Sequence, residues 1–146
     1  MANYSKSLCI RFGVCGIVLL ACMGCSDNLA TYPVTGKVEF ADGTPAMFGE
    51  IELQSLSHPI NARGKINRSG EFSLTTYQDG DGAVGGEHKI VITQLIPPTP
   101  LGVQVNHDHG DSIHSKYFSY KTSGLTTTVE QKKNKIVLVV KKSEEP

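Results

Sequence analysis

The sequence predicts an all-β fold, a seven-stranded antiparallel β-sandwich. Three observations carry this expectation. After residue 33, apolar and polar residues alternate with period two in several short segments, the mark of half-buried strands. Clusters of Asp, Gly, Ser and Pro separate those segments as turns. No segment makes a convincing helix, and 15 Gly with no Trp among 146 residues suit a turn-rich chain. About 110 residues are enough to bury one such core.

The elements follow in order. "VTGKVEF", residues 34–40, places Val34, Gly36, Val38 and Phe40 on one face and Thr35, Lys37 and Glu39 on the other. "ADGTPA" is the turn after it. "GEIELQSL" resumes the alternation with Ile51, Leu53 and Ser55 inward. "ARGKINRSGEFSLTTY" reads as a hairpin, with Ile66 on one arm, Ser69-Gly70 at the turn, and Phe72 and Leu74 on the other arm. "QDGDGAVGGEH", residues 78–88, has no apolar period and reads as a loop. "HKIVITQLI", residues 88–96, is the most hydrophobic strand and is expected at the centre of a sheet. "PPTP" ends it, because proline cannot donate to a ladder. Residues 97–124 read as a long irregular connection in which "SKYFSY" supplies a short edge strand. "LTTTVEQ" and "KIVLVVKK", joined by "KKN", read as a closing hairpin with Ile136, Leu138 and Val140 inward.

The first 33 residues follow a different pattern. Lys6 and Arg11 precede "FGVCGIVLLA", an apolar run of ten residues, and no acidic residue occurs before Asp27. A bilayer span needs about 20 apolar residues, so the run suits the h-region of a signal peptide instead. All four cysteines, Cys9, Cys15, Cys22 and Cys25, lie within the first 25 residues. A disulfide framework would distribute them through the domain. A zinc site would need further ligands near the Cys22 and Cys25 pair, and no second pair is close in sequence.

"LLAC", Leu19 to Cys22, resembles the lipobox of bacterial lipoproteins. The resemblance implies cleavage before Cys22 and diacylglycerol on its sulfur, with Cys25 of "CMGC" as the alternative lipidated residue. Residues 1–21 are then a signal peptide, 22–33 a lipidated tether, 34–142 the sandwich and 143–146 a tail. The mature chain has 125 residues and, having lost Lys6 and Arg11, a formal charge of −2. The expected location is the cell envelope, with the lipid in a membrane and the domain facing the periplasm or exterior. A charge balance of 14 basic and 14 acidic residues offers no basic face for nucleic acid, so no nucleic-acid partner is expected.

"VTGKVEFADGTPA", "GKINRSGEFSLTT", "DGDGAVGGEHKIVI" and "KYFSYKTSGLTTTVEQKKNKIVLVV" occur in that order. Together they resemble small bacterial lipoproteins of the planctomycete type that carry a transthyretin-like, carboxypeptidase regulatory-like domain. The resemblance spans roughly residues 32–141. It implies a seven-stranded sandwich of prealbumin type and no catalytic activity. The sequence departs from that pattern at "AVGG", where prolines are usual, and in a longer, His-rich stretch near residues 105–115.

That stretch, "NHDHGDSIH", is the alternative functional candidate. His107, His109 and His114 with Asp108 and Asp111 offer imidazole and carboxylate ligands for zinc, copper or nickel. Its spacing fits no established metal motif, and a solvated loop is the competing reading. "DGDG", residues 79–82, resembles part of a calcium loop, but the twelfth place from Asp79 is Ile90 rather than Glu. No G-x-S-x-G nucleophile elbow and no phosphate-binding loop occurs. Glu50 and Glu52 share a strand face and read as solvated carboxylates. His58 and His88 read as structural or surface residues. The expected function is therefore a non-catalytic envelope module that binds a protein or glycan partner, with no cofactor beyond the covalent lipid. The alternative is a metal-binding envelope protein.

Overall fold

A computed structural model describes residues 28–94 and 110–143. It is all-β apart from one 3-10 turn. The strands are β1 (Thr31–Tyr32), β2 (Val34–Phe40), β3 (Gly49–Ser55), β4 (Asn61–Ile66), β5 (Glu71–Ser73), β6 (Ala83–Val84), β7 (Gly86–Gln94), β8 (Leu125–Val129) and β9 (Asn134–Val140). The 3-10 turn is Ser115–Phe118. One sheet has the order β5-β2-β9 and another β4-β3-β7-β8, with β1 and β6 paired as a small separate ribbon. Among the described residues no helix is long and apolar enough to cross a membrane.

Both larger sheets turn their apolar rows into one core. Val34, Val38 and Phe40 of β2 and Leu138 and Val140 of β9 come from the first sheet. Ile51 and Leu53 of β3 and Ile90 and Ile92 of β7 come from the second. Fully burying each such side chain contributes about 1.5–3 kcal/mol. The row from β2 has a gap at Gly36. A Cβ there would collide with the Phe72 ring and with the Ile136 carbonyl oxygen of β9. The missing side chain is what lets Phe72 lie across β2.

The connections are more than simple hairpins. The turn at Ser69-Gly70 forms as expected, with Gly70 at φ +78°. Its arms stay side by side through the Asn67 N–H on the Glu71 carbonyl at 2.9 Å and the Arg63–Thr75 bridge, but each arm also ladders with a further strand. β4 pairs with β3, and β5 pairs with β2. Ile66 and Phe72 thereby enter the core from different sheets. The stretch after β8 does the same, because β8 pairs with β7 while β9 pairs with β2. Asn134 closes this crossing, accepting from the Glu130 N–H at 2.9 Å and donating to the Lys132 carbonyl at 2.6 Å. The β2–β9 ladder is parallel over all seven positions, Val34 opposite Asn134 through Phe40 opposite Val140. This corrects the wholly antiparallel expectation. No tight turn joins β2 to β9, so nothing local forces an antiparallel pairing.

Three smaller differences follow from backbone hydrogen bonding. Residues 78–88 are not all loop: Ala83 and Val84 are buried and pair with Tyr32 and Thr31. Those two partners fall in the stretch read as tether, so ordered pairing begins before Val34. "SKYFSY" forms the 3-10 turn instead of an edge strand, and it buries Tyr117. As expected, β7 is central, lying between β3 and β8. Residues 95 and 96 of that strand and the prolines after them lie outside the described residues.

His88 is the one buried imidazole among the described residues, on the inward face of β7 in register with Ser55 and Thr127. Burial pushes its proton affinity below the ordinary value of 6.5, against a smaller opposing effect of the Gly86 carbonyl 3.0 Å from Nδ1. The unfolded chain therefore binds a proton more readily than the folded one below about pH 6.5. This contribution to stability is complete above that pH and is lost as pH falls through the lowered value. The urea midpoint is expected to drop between pH 7.5 and pH 5.5, and His88→Asn is expected to flatten that slope. At neutral pH, Gly36→Ala is expected to cost about 1–3 kcal/mol in urea unfolding, because Phe72 must move.

Candidate functional site

Outside the core, β3 and β4 build a polar face by simple alternation. Glu50, Glu52 and Gln54 stand opposite Lys65, Arg63 and Asn61. Opposite charges across a ladder favour this register. Glu52 is the hub of the face. It accepts from Asn61 Nδ2 at 2.6 Å, from Arg63 Nε at 2.6 Å and from the Tyr120 hydroxyl at 2.8 Å. Burial and the Glu52 carboxylate together raise the Tyr120 phenol well above its ordinary range, so it stays a neutral donor.

β4 is an edge strand, and the chain after β5 returns beside it. Arg63 and Thr75 exchange two backbone hydrogen bonds of 2.9 and 2.8 Å. A shallow cavity of about 730 Å³ opens there, lined in part by Gln54, His58, Asn61, Arg63, Thr75 and Thr76. A second, of about 610 Å³, shares Arg63 and Thr75 and reaches Glu50, Lys65, Ser73 and Asp79. A third, of about 420 Å³, shares His58 and reaches Tyr32 and Val129. The first two run along β4 as one polar groove, and the third meets it at His58 and lies beside β1, β6 and the end of β8. The groove's lining offers amides, hydroxyls, a guanidinium and an imidazole. Groups of these kinds can exchange hydrogen bonds with hydroxyls and amides, and the open shape has room for an extended chain.

Comparison with protein-family models, curated proteins and solved structures finds no match to this chain.

The metal candidates divide. His107, Asp108 and His109 lie outside the described residues, as do Cys22 and Cys25. His114 uses Nδ1 to accept from the Lys116 N–H at 3.1 Å, capping the 3-10 turn. Asp111 pairs with Lys142 at 2.6 Å, and the same ammonium meets Asp42 at 2.6 Å. Lys142 holds the Asp42 carboxyl far below the usual carboxylate range, and the two aspartates raise Lys142. The arrangement clasps the end of β9 between two loops. No group of three or more His, Cys, Asp or Glu side chains placed to hold a metal ion occurs among the described residues.

"DGDG" is a turn whose second carboxylate faces backbone donors. Burial would raise Asp81, but the N–H groups of Thr76, Tyr77 and Gln78, at 2.7, 3.0 and 3.1 Å, outweigh it and keep the carboxyl below its ordinary value. Those donors occupy the oxygens that a calcium ion would need. Glu50 and Glu52 do share a face, but Glu52 is committed to three donors. The groove residues Asn61, Arg63 and Thr75, and the Tyr120 that bonds to Glu52, were not singled out by sequence. Alternation alone places Arg63 opposite Glu52 once the turn between β3 and β4 is fixed. The approach of Thr75 and Tyr120 has no sequence signal.

The Glu52 hub makes a stability prediction. Glu52→Ala strands three donors and is expected to cost about 1–2 kcal/mol in urea unfolding. Glu50→Ala, on the same face, is expected to change stability by less than about 0.5 kcal/mol. Equal costs for the two would remove the hub.

Proposed function

We propose that this chain is a lipid-anchored envelope protein whose β-sandwich domain binds a protein or glycan partner and performs no catalysis. The observation that carries the binding reading is the polar groove along β4. Its hydrogen-bonding groups are fixed by a ladder on one side and by the Arg63–Thr75 pairing on the other. Rigid, pre-placed donors and acceptors lower the ordering cost of recognition. The seven strands of the two larger sheets, three in one and four in the other, support the prealbumin-type sandwich that the sequence resembles.

The anchor rests on "LLAC" and the basic, apolar leader before it. Each buried methylene adds about 0.8 kcal/mol, and more than one acyl chain is needed for stable attachment. Diacylglycerol on a single cysteine meets that need. The mature charge of −2 gives no general attraction to anionic lipid, so attachment falls to the lipid itself.

Two measurements test the reading. A palmitate analogue is expected to label the wild-type chain and not the double variant Cys22→Ser, Cys25→Ser; label retained by that variant refutes the anchor. Full-length protein in detergent, applied to arrays of envelope glycans and proteins, is expected to retain a partner that Asn61→Ala with Arg63→Ala releases. Retention unchanged by that pair would move binding away from the groove.

A further inference from the structure

The same reading leaves the three-stranded sheet unfinished. β9 is its last strand, and among the described residues no strand pairs with its far side. Asn134 N–H turns toward β2, donating to the Pro33 carbonyl at 2.8 Å. Lys141 N–H turns the other way, donating to the Tyr117 hydroxyl at 3.2 Å. Residues 112–114 cover that side only at the strand's C-terminal end, where Ile113 bridges Lys142 and the His114 N–H donates to the Lys141 carbonyl at 3.0 Å. Strand alternation then directs the backbone groups of Lys135, Val137 and Val139 to the side that stays open before it. The side chains of Val137 and Val139 are 56% and 54% exposed on the outer face of that sheet. Bare apolar side chains beside unused ladder groups form a template for one more strand.

The charges select the occupant. "KKNKIVLVVKK" brackets the apolar centre with lysines at both ends. Lys132 pairs with Glu130, and Lys142 with Asp42 and Asp111. Lys133, Lys135 and Lys141 are exposed and join no ion pair among the described residues. A second copy fits poorly. An antiparallel pair centred on Val137 sets Lys133 against Lys141, and one centred on Leu138 sets Lys135 against Lys141. Like charges directly opposite destabilise a ladder. Lysines on an edge are a common guard against self-pairing. That guard depends on sign, and it favours a strand whose ends are acidic.

We propose that the open edge of β9 docks an extended segment of a partner protein, apolar at its centre and acidic at its flanks, as a fourth strand of this sheet. The proposal rests on the reading of the chain as a binding module and assigns it a protein partner at a site distinct from the β4 groove. The partner's backbone would bond to Lys135, Val137 and Val139. Its outward apolar side chains would cover Val137 and Val139, and its carboxylates would meet Lys133, Lys135 and Lys141.

The test uses the full-length chain in neutral detergent, with amide hydrogen exchange followed by NMR. The probe is a synthetic peptide with a Val-Thr-Val-Thr-Val centre and glutamates at both ends; its control has lysines in their place. The acidic peptide is expected to slow exchange at Lys135, Val137 and Val139 by about tenfold or more, less so in high salt, with the lysine peptide inert. The triple variant Lys133→Glu, Lys135→Glu, Lys141→Glu changes exposed side chains and is expected to reverse the preference. Equal protection by both peptides, or by neither, overturns the proposal. So does protection already present without peptide, which means that this chain covers its own edge when the protein is monomeric in sedimentation, or that a second copy covers it when dimeric. Failure of the peptide test alongside a natural partner that the Asn61 and Arg63 variants release would defeat the edge and leave the binding-module reading standing.

Discussion

The parallel pairing of β2 with β9 is the constraint on which the rest depends. It joins the first long strand to the last. The chain between them crosses from one sheet to the other four times, after β2, after β4, between β5 and β7, and after β8. Each crossing sends consecutive strands into opposite sheets, so their apolar rows face each other across the core. Gly36 makes the arrangement sterically possible, because Phe72 and the β9 backbone occupy the space that a side chain would fill. An antiparallel β8–β9 hairpin would satisfy local hydrogen bonding equally well. It would leave β2 without the partner that buries Leu138 and Val140 beside Val38 and Phe40.

The same constraint makes the two sides of the molecule unlike. On one side, β4 and the return after β5 are stitched by Arg63 and Thr75, and the seam is lined with polar groups. On the other, β8 and β9 end their sheets, and the crossing between them is a short turn closed by Asn134. One side offers fixed side chains and the other offers backbone. Under the proposed function, a module held at a membrane by its N-terminus would gain two different means of recognition from one small core. The clasp of Lys142 by Asp42 and Asp111 holds the end of β9 in place. Each of its ion pairs is exposed and individually weak. Its value lies in ordering the strand end.

What could be read from the sequence was the part set by period and turn chemistry. Val34, Val38 and Phe40, then Ile51, Leu53 and Ser55, then Ile90 and Ile92 are all inward as alternation requires. Gly70 sits at a turn that needs positive φ. Partner choice was not legible. The same turn residues serve a hairpin whose second arm also ladders with another sheet, and the fit of Phe72 against Gly36 that accompanies that ladder has no local sequence signal. Ala83 and Val84 were hidden because two buried residues are too few to show a period. The candidate groove was half visible. The outward Gln54, Asn61 and Arg63 follow from register, whereas the return of Thr75 beside Arg63 does not, and neither does the reach of Tyr120 to the neighbouring Glu52 across 68 positions of sequence. His114 and Asp111 looked like ligands by residue type, yet the fold gives each a structural partner.

The pairing of first and last strands can be measured directly. Cross-strand nuclear Overhauser contacts in the full-length protein should link Val34 with Asn134, Val38 with Leu138 and Phe40 with Val140, in increasing order along both strands. Contacts instead linking Thr128 with Lys135 and Thr126 with Val137, in opposite order, would establish a terminal hairpin and contradict the account.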